Sequence, residues 1–190
     1  DWVFHVAGAT KGVSYEDFQR ANVMPTRNLL RALTAAHPDV KRFVLVSSLA
    51  AFGPSRPGRP HRETSPRRPI EHYGRSKLEA EEALETLGST LPWTTVRPGG
   101  VYGPGDPHSA YGPNAFARAL ARDRTIRLFG NGEEERDHIY VDDVARLIIA
   151  LVRASATGVF NLATGEARSF AEIVQTIRGL VPYEFAVNSV

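Results

Sequence analysis

Three short apolar runs stand out in the first hundred residues, and each ends in small or polar side chains. Uninterrupted runs of this length are typical of strands that are buried on both faces of a parallel sheet. The predicted strands lie within residues 1–9, 42–48 and 93–98. Between them, residues 15–36 and 73–87 repeat apolar positions at helical spacing, and Pro25 predicts a kink in the first of these helices.

Shorter elements follow Gly105. The predicted helices cover residues 114–122, 144–153 and 169–178, and the predicted strands cover residues 126–129, 137–141 and 158–162. The alternation of strands and helices predicts an α/β fold in which right-handed crossovers join parallel strands. We expect a first domain over residues 1–105 and a smaller lobe over residues 106–190, some segments of which return to the first domain.

The composition is that of an ordinary globular protein, with 42% hydrophobic and 23% charged residues. The formal charge is only +2, and its basic excess falls in residues 56–68, which we interpret as a solvated loop rather than a nucleic-acid site. Cysteine is absent, which excludes disulfides and thiolate chemistry, and we expect no metal site. No apolar run is long enough to span a bilayer, so we expect a cytoplasmic protein without membrane contact.

Tyr73 and Lys77 are the first candidates for chemistry, because they lie four positions apart at the start of a predicted helix. Residues at this spacing share a helix face. A nearby ammonium stabilises a tyrosinate, so we expect Lys77 to lower the pKa of Tyr73 from about 10 toward neutrality, where a general acid or base works best. The alternative is an ordinary surface helix. The glutamates expected on its solvent-exposed faces are Glu79, Glu81, Glu82 and Glu85.

Ser48 is a further candidate, at the end of the second predicted strand. Side chains at the carboxyl ends of parallel strands face the crevice where open α/β sheets bind ligands. A helix cap or a turn is the alternative role for such a serine.

Five motifs occur in order along the chain, at residues 5–8, 22–26, 46–53, 73–77 and 136–145. Together they resemble the extended short-chain dehydrogenase/reductases of the NAD-dependent epimerase/dehydratase family. The resemblance covers essentially the whole chain. It implies a Rossmann-type, doubly wound parallel sheet that binds a dinucleotide, followed by a small α/β lobe that binds the substrate.

The resemblance also implies roles for the candidate catalytic residues. Tyr73 would be the acid/base of a hydride transfer between an alcohol and NAD or NADP. Lys77 would lower the pKa of Tyr73 and bind the nicotinamide ribose, and Ser48 would hold the substrate oxygen. Asn22 would either maintain the hydrogen-bond network of the site or serve as a buried packing amide.

Further residues are implied to line the cofactor and the substrate. Besides Tyr73 and Lys77, those beside the cofactor are Ala7, Gly8, Ser47, Pro98 and Val101. Arg136 matches the family arginine that holds the substrate's diphosphate, with an ion pair to a neighbouring acid as the alternative. Gly100 stands at a substrate position where the compared epimerases usually carry Asn, so one polar anchor is missing.

The family's Gly-x-x-Gly-x-x-Gly loop, which cradles the pyrophosphate, is not among these 190 residues. The residue that selects NAD or NADP is also expected ahead of the first strand. We therefore expect a chain that is incomplete at both ends and lacks the first βαβ units. The 190 residues alone are expected to bind dinucleotide weakly or not at all.

The leading interpretation is an epimerase or dehydrogenase of a nucleotide-linked sugar. A 4,6-dehydratase is disfavoured, because Leu49 and Ala50 stand where those enzymes carry an acid pair. One alternative is a dehydrogenase or reductase of hydrophobic alcohols, resembling the 3β-hydroxysteroid dehydrogenase and flavonoid reductase branch. Another is a non-catalytic dinucleotide sensor. Relatives often dimerise, and we expect a homodimer that pairs the helices over residues 15–36 and 73–87.

Overall fold

A computed structural model describes residues 1–36, 39–55, 59–106 and 111–190. The strands are β1 (Trp2–His5), β2 (Arg42–Val46), β3 (Trp93–Pro98), β4 (Gly100–Tyr102), β5 (Thr125–Leu128), β6 (Glu135–Tyr140), β7 (Gly158–Leu162), β8 (Ala167–Ser169) and β9 (Ala186–Ser189). The α-helices are α1 (Tyr15–Phe18), α2 (Met24–Ala36), α3 (His72–Leu87), α4 (Pro113–Asp123), α5 (Val141–Arg153) and α6 (Phe170–Leu180).

These elements divide between two compact units. The first consists of Asp1–Pro98 and Arg146–Leu162, and the second of Gly99–Ala145 and Ala163–Val190. The first unit therefore gives way to the second after Pro98 rather than at residue 105, because β4 pairs with β6 instead of extending β3.

The first unit contains a parallel sheet of four strands in the order β1-β2-β3-β7. Four of the five side chains of β2 and five of the six of β3 are buried, as expected for central strands that are covered on both faces. The α/β class and the parallel strand order are as predicted. The core of this unit comprises Leu30, Leu33, Val40, Phe43, Leu45, Ala80, Ala83, Leu84 and Leu91.

The first predicted helix is interrupted where Pro25 indicated a break. Ser14 caps α1 through a capping box with Asp17, and a π-helical turn over Gln19–Val23 then leads into α2. A proline lacks the N–H that the helix interior needs, and a wider turn in front of it removes the conflict. The π turn buries Asn22 and Val23, so the interruption directs Asn22 inward.

The second unit contains a three-stranded sheet in the order β4-β6-β8 and a two-stranded parallel sheet of β5 and β9. Its core comprises Phe116, Leu120, Ile126, Leu128, Phe170, Val174 and Phe185. The sequence did not predict β4, β8 or β9. Each has only three or four residues, and its pattern is too short to show a strand period.

The predicted basic loop over residues 56–68 is described only in part, since residues 56–58 lie outside the described ranges. A 3₁₀ turn over Leu49–Phe52, which Ser48 caps with its side chain, precedes this loop. Over the described ranges, no helix is both long enough and apolar enough to cross a membrane.

Candidate active site

The close approach of α3 to the end of β2 builds the candidate site. Gly74, in the first turn of α3, is buried, and a Cβ atom there would overlap the backbone carbonyl of Ala50. Only glycine permits this approach. The helix start therefore lies against the 3₁₀ turn that Ser48 begins, which brings Tyr73 to Ser48.

The Ser48 side chain lies near the Tyr73 hydroxyl, close enough to affect its ionisation. Ser48 Oγ accepts a hydrogen bond from the backbone N–H of Ala50 at 3.1 Å, so the serine caps the turn and also neighbours the phenol. Burial raises the pKa of Tyr73 above its ordinary value, and the neighbouring Ser48 hydroxyl opposes that rise only in part. At neutral pH Tyr73 is therefore protonated and can donate its proton.

Lys77 is buried one turn further along α3, with 7% of its surface exposed. Its Nζ donates to the carbonyl of Val46 at 3.0 Å and lies 5.9 Å from the centroid of the Tyr73 ring. Burial lowers the pKa of Lys77 to about 8, against the attraction of the Glu81 carboxylate. The shared helix face is as predicted. The predicted lowering of the Tyr73 pKa is wrong for this structure, because burial of the phenol outweighs other influences.

Asn22 connects the end of β1 to the start of α3. Its Oδ1 accepts from the N–H of Ala9 at 2.6 Å, and its Nδ2 donates to the Ala9 carbonyl at 3.0 Å and to Ser76 Oγ at 2.9 Å. Ser76 Oγ in turn donates to the carbonyl of Tyr73 at 2.7 Å. The amide thus holds the backbone around Tyr73, and these hydrogen bonds agree with the predicted network role rather than with the alternative of a buried packing amide.

His5 is a buried polar residue that the sequence reasoning missed. Its Nε2 lies 2.8 Å from Thr26 Oγ1, and this hydroxyl lies 2.6 Å from the carbonyl of Asn22, to which it donates. A hydroxyl has one proton, so His5 must donate to Thr26 through a protonated Nε2. Burial, and secondarily the charge of Lys77, lowers the pKa of His5. A histidine in an otherwise apolar strand was the available signal.

The carboxyl end of β1 offers a surface for a flat ligand. Ala7 and Gly8 are exposed, and a Cβ atom at Gly8 would lie 2.9 Å from Asn22 Oδ1 and 3.4 Å from Lys77 Nζ. A side chain at position 8 would therefore displace Asn22 or cover the amine. These residues fit a dinucleotide that lies against the strand end and reaches Lys77.

Two other predicted cofactor residues of the first unit are buried. Pro98 ends β3 beside Leu162 of β7. Ser47 is 4% exposed, and its hydroxyl donates to the carboxylate of Glu81. The predicted cofactor contact of Ser47 therefore cannot be a hydrogen bond donated by its hydroxyl, because its one proton is already donated to Glu81.

Glu81 is fully buried, which contradicts its predicted place on a solvent-exposed face. Arg97 donates to its two oxygens at 2.9 and 2.6 Å, and Arg67 donates to it at 2.9 Å. Burial alone would raise the pKa of Glu81, but the hydrogen bonds from Arg97, Ser47 and Arg67 hold it below its usual range. Two signals were available, since Glu81 is four residues after Lys77 and Arg97 is a charge within a buried strand.

The remaining predicted residues, Gly100, Val101 and Arg136, belong to the second unit. A Cβ atom at Gly100 would lie 2.9 Å from Cδ2 of His138, so the neighbouring ring fills the space that a side chain would need. Val101 is exposed, and Arg136 forms an ion pair with Glu134 in which both side chains are mostly exposed. This ion pair is the alternative that the sequence left open.

No group of three or more His, Asp or Glu side chains within residues 1–36, 39–55, 59–106 and 111–190 is arranged to hold a metal ion.

Comparison with known families decides the assignment. Residues 1–163 match the sequence model of the NAD dependent epimerase/dehydratase family. The chain belongs to this family. One relative is a UDP-glucose 4-epimerase of Mycolicibacterium smegmatis. It is 32% identical over 191 residues, which cover 94% of this chain and 59% of the relative.

The chain is also similar to a second relative in sequence and to a solved structure. A ceramide reductase of Caulobacter vibrioides is 30% identical over 158 residues, which cover 83% of this chain and 42% of the reductase. The solved structure of MoeE5 in complex with UDP-glucose and NAD superposes with a TM-score of 0.86 at 29% identity, covering 100% of this chain and 65% of MoeE5. This chain therefore spans less than two thirds of each of the three proteins.

Proposed function

We propose that the chain is the catalytic part of an NAD(P)-dependent epimerase or dehydrogenase that acts on a nucleotide-linked sugar. The observation that carries the proposal is the placement of the Ser48 side chain beside the Tyr73 hydroxyl, with the buried amine of Lys77 one turn away. Burying a lysine without a paired carboxylate is unfavourable, and such groups cluster at functional sites. Similarity to a UDP-glucose 4-epimerase supports the sugar class.

In the proposed reaction, Ser48 and Tyr73 bind the hydroxyl of the substrate together. Tyr73 takes the hydroxyl proton during oxidation and returns it during reduction, while Ser48 keeps the oxygen in place. A bound NAD(P)⁺ would accept the hydride and add a positive charge near the phenol. Lys77 would hold the dinucleotide together with Ala7 and Gly8, which are exposed just after β1. Pro98 and Val101 are further proposed contacts.

The raised pKa of Tyr73 fits a proton donor better than a base in the absence of ligands. The phenol therefore needs additional positive charge before it can take a proton at neutral pH. We propose that a bound NAD(P)⁺ would supply this charge beside the Lys77 ammonium, which with a pKa of about 8 is mostly protonated at neutral pH. Rising pH should favour oxidation because Tyr73 loses its proton more readily, but above about pH 8 the loss of the Lys77 charge should oppose this gain.

The substrate class is tested by a panel of ligands on the purified full-length protein that contains these 190 residues. UDP-, GDP- and dTDP-linked sugars, each with NAD⁺ or NADP⁺, should include one pair that raises the melting temperature, because a ligand of the native state stabilises it. The same pair should support formation of reduced dinucleotide. If no sugar nucleotide has either effect, the proposed substrate class is wrong.

A second candidate is a reductase of hydrophobic alcohols, which the similarity to a ceramide reductase favours. Stabilisation by long-chain or sterol-like alcohols, with none by sugar nucleotides, would select it. The homodimer through α2 and α3, the cytoplasmic location and the role of Arg136 stay predictions.

A further inference from the structure

The buried carboxylate of Glu81 is the centre of a hydrogen-bond network that the proposed reaction does not use. Each of its oxygens accepts two hydrogen bonds, one from Arg97 and the other from Ser47 or Arg67. A carboxylate has about four acceptor positions, so Glu81 is fully satisfied. The surrounding residues are therefore arranged to hold a charged carboxylate at this position.

The partners of Glu81 come from three separate segments of the first unit. Ser47 precedes Ser48 at the end of β2, and Arg97 precedes Pro98 at the end of β3. Arg67 belongs to the segment that leads from the 3₁₀ turn to α3. The network therefore joins the ends of two strands to the helix that carries Tyr73 and Lys77.

The network also reaches the 3₁₀ turn that starts at Ser48. The Arg97 guanidinium lies 4.5 Å from the ring centroid of Phe52, the last residue of that turn. The Phe52 ring stacks on His61 with their centroids 4.7 Å apart. Arg97 thus contacts the Phe52 ring of this turn and at the same time forms a bidentate ion pair with Glu81.

Glu81 lies one helical turn beyond Lys77, and Lys77 donates to the carbonyl of Val46, the residue before Ser47. Lys77 and Glu81 therefore both hold the end of β2, Lys77 through the Val46 carbonyl and Glu81 through the Ser47 hydroxyl. The charged and titratable groups around Lys77 and Glu81 are His5 on β1, Tyr73 on α3, Arg97 on β3, and Glu63, Arg67 and Glu85.

We propose that Glu81 is a positioning residue of the candidate active site, which acts through Ser47 and Arg97 to hold the Ser48 hydroxyl and the Lys77 amine in place. This inference rests on the proposed function for its kinetic consequence only. The charge of Glu81 also favours the ammonium form of Lys77, whose pKa burial lowers.

The test titrates Lys77 directly by NMR of its side-chain carbon and nitrogen. The chain has three lysines, so Lys11 and Lys41 serve as internal references. Glu81→Gln keeps the shape of the side chain but removes its charge and leaves two arginines unbalanced. The pKa of Lys77 should fall by about one unit or more. In the presence of a stabilising sugar nucleotide and dinucleotide, kcat should fall at least about tenfold, with little change in KM.

Two variants complete the test. Glu85→Gln removes a carboxylate that is 41% exposed and pairs with Arg67 rather than with Arg97 or Ser47, so the pKa of Lys77 and kcat should stay at their wild-type values. Arg67→Gln removes a cation from Glu81 and should raise the pKa of Lys77, the opposite sign. If Glu81→Gln prevents folding, this variant decides.

The proposal is overturned if folded Glu81→Gln retains the wild-type pKa of Lys77 or the wild-type kcat, or if Arg67→Gln leaves the titration unchanged. Lack of turnover in the wild-type full-length protein would instead contradict the proposed function. The lysine titration would still decide the role of Glu81, because it requires no turnover.

Discussion

Two arginine–glutamate pairs in this chain have the same chemistry and opposite environments. In the pair of Arg97 and Glu81 both side chains are 2% exposed, whereas Arg136 and Glu134 are 61% and 53% exposed. Water screens the exposed pair, so its two charges are nearly independent. In the buried pair neither charge can be left without the other. Burial, rather than the identity of the residues, therefore decides which pair is structural.

The largest effect is expected from breaking the buried pair. Arg97→Leu leaves the Glu81 carboxylate with Ser47 and Arg67 only, and the free energy of unfolding should fall by about 3–5 kcal/mol. Urea denaturation followed by circular dichroism measures it. A loss below about 1 kcal/mol would show that the buried pair behaves like the exposed one.

A smaller change of opposite sign is expected at Lys77, a buried cation of the first unit that donates to a backbone carbonyl rather than to a carboxylate. With a pKa of about 8 in the folded state and 10.5 when unfolded, Lys77 binds its proton less tightly in the folded protein. Its charge therefore destabilises the fold below pH 8, and the penalty disappears as the pH rises from 8 to 10.5.

Lys77→Met should accordingly be more stable than wild type by about 2–3 kcal/mol at pH 7, with the difference vanishing toward pH 10.5. The matched control Lys41→Met, at an exposed position, should leave stability unchanged. Denaturation curves at several pH values test both. A destabilised Lys77→Met at neutral pH would mean that the amine contributes to folding and is not retained for function.

The smallest effect on stability is expected from the exposed pair. Arg136→Gln should change the free energy of unfolding by less than about 0.5 kcal/mol, because surface ion pairs contribute little. If Arg136 holds a substrate diphosphate, the variant should nevertheless lose the thermal stabilisation by sugar nucleotides. Unchanged stabilisation would leave Arg136 as a surface residue.

The same contrast explains what the sequence could predict. Helix spacing and strand position marked Tyr73, Lys77 and Ser48 as separate candidates, and the family resemblance predicted them together. Glu81 was placed on a solvent-exposed face, although its spacing from Lys77 puts it on the same face as Tyr73. The composition of a helix does not show which of its acids meets an arginine, since the partner Arg97 is provided by another element.

The pKa of Tyr73 is a further instance of this limit. Helical spacing correctly put the Lys77 amine near the Tyr73 ring, but the direction of the pKa shift depends on burial, which spacing does not determine. The break in front of Pro25 was predictable because it follows from the proline itself. The short strands β4, β8 and β9 were not, because their pairing decides them.

The central claim is that Tyr73 transfers the proton, and Tyr73→Phe tests it most directly. The variant removes one oxygen and should lower the rate of sugar-dependent dinucleotide reduction by on the order of 10²–10⁴-fold, the usual contribution of a positioned acid or base. Tyr183→Phe, the same change in the second unit, is the control and should retain the wild-type rate. A Tyr73→Phe protein that also keeps the wild-type rate would contradict the account.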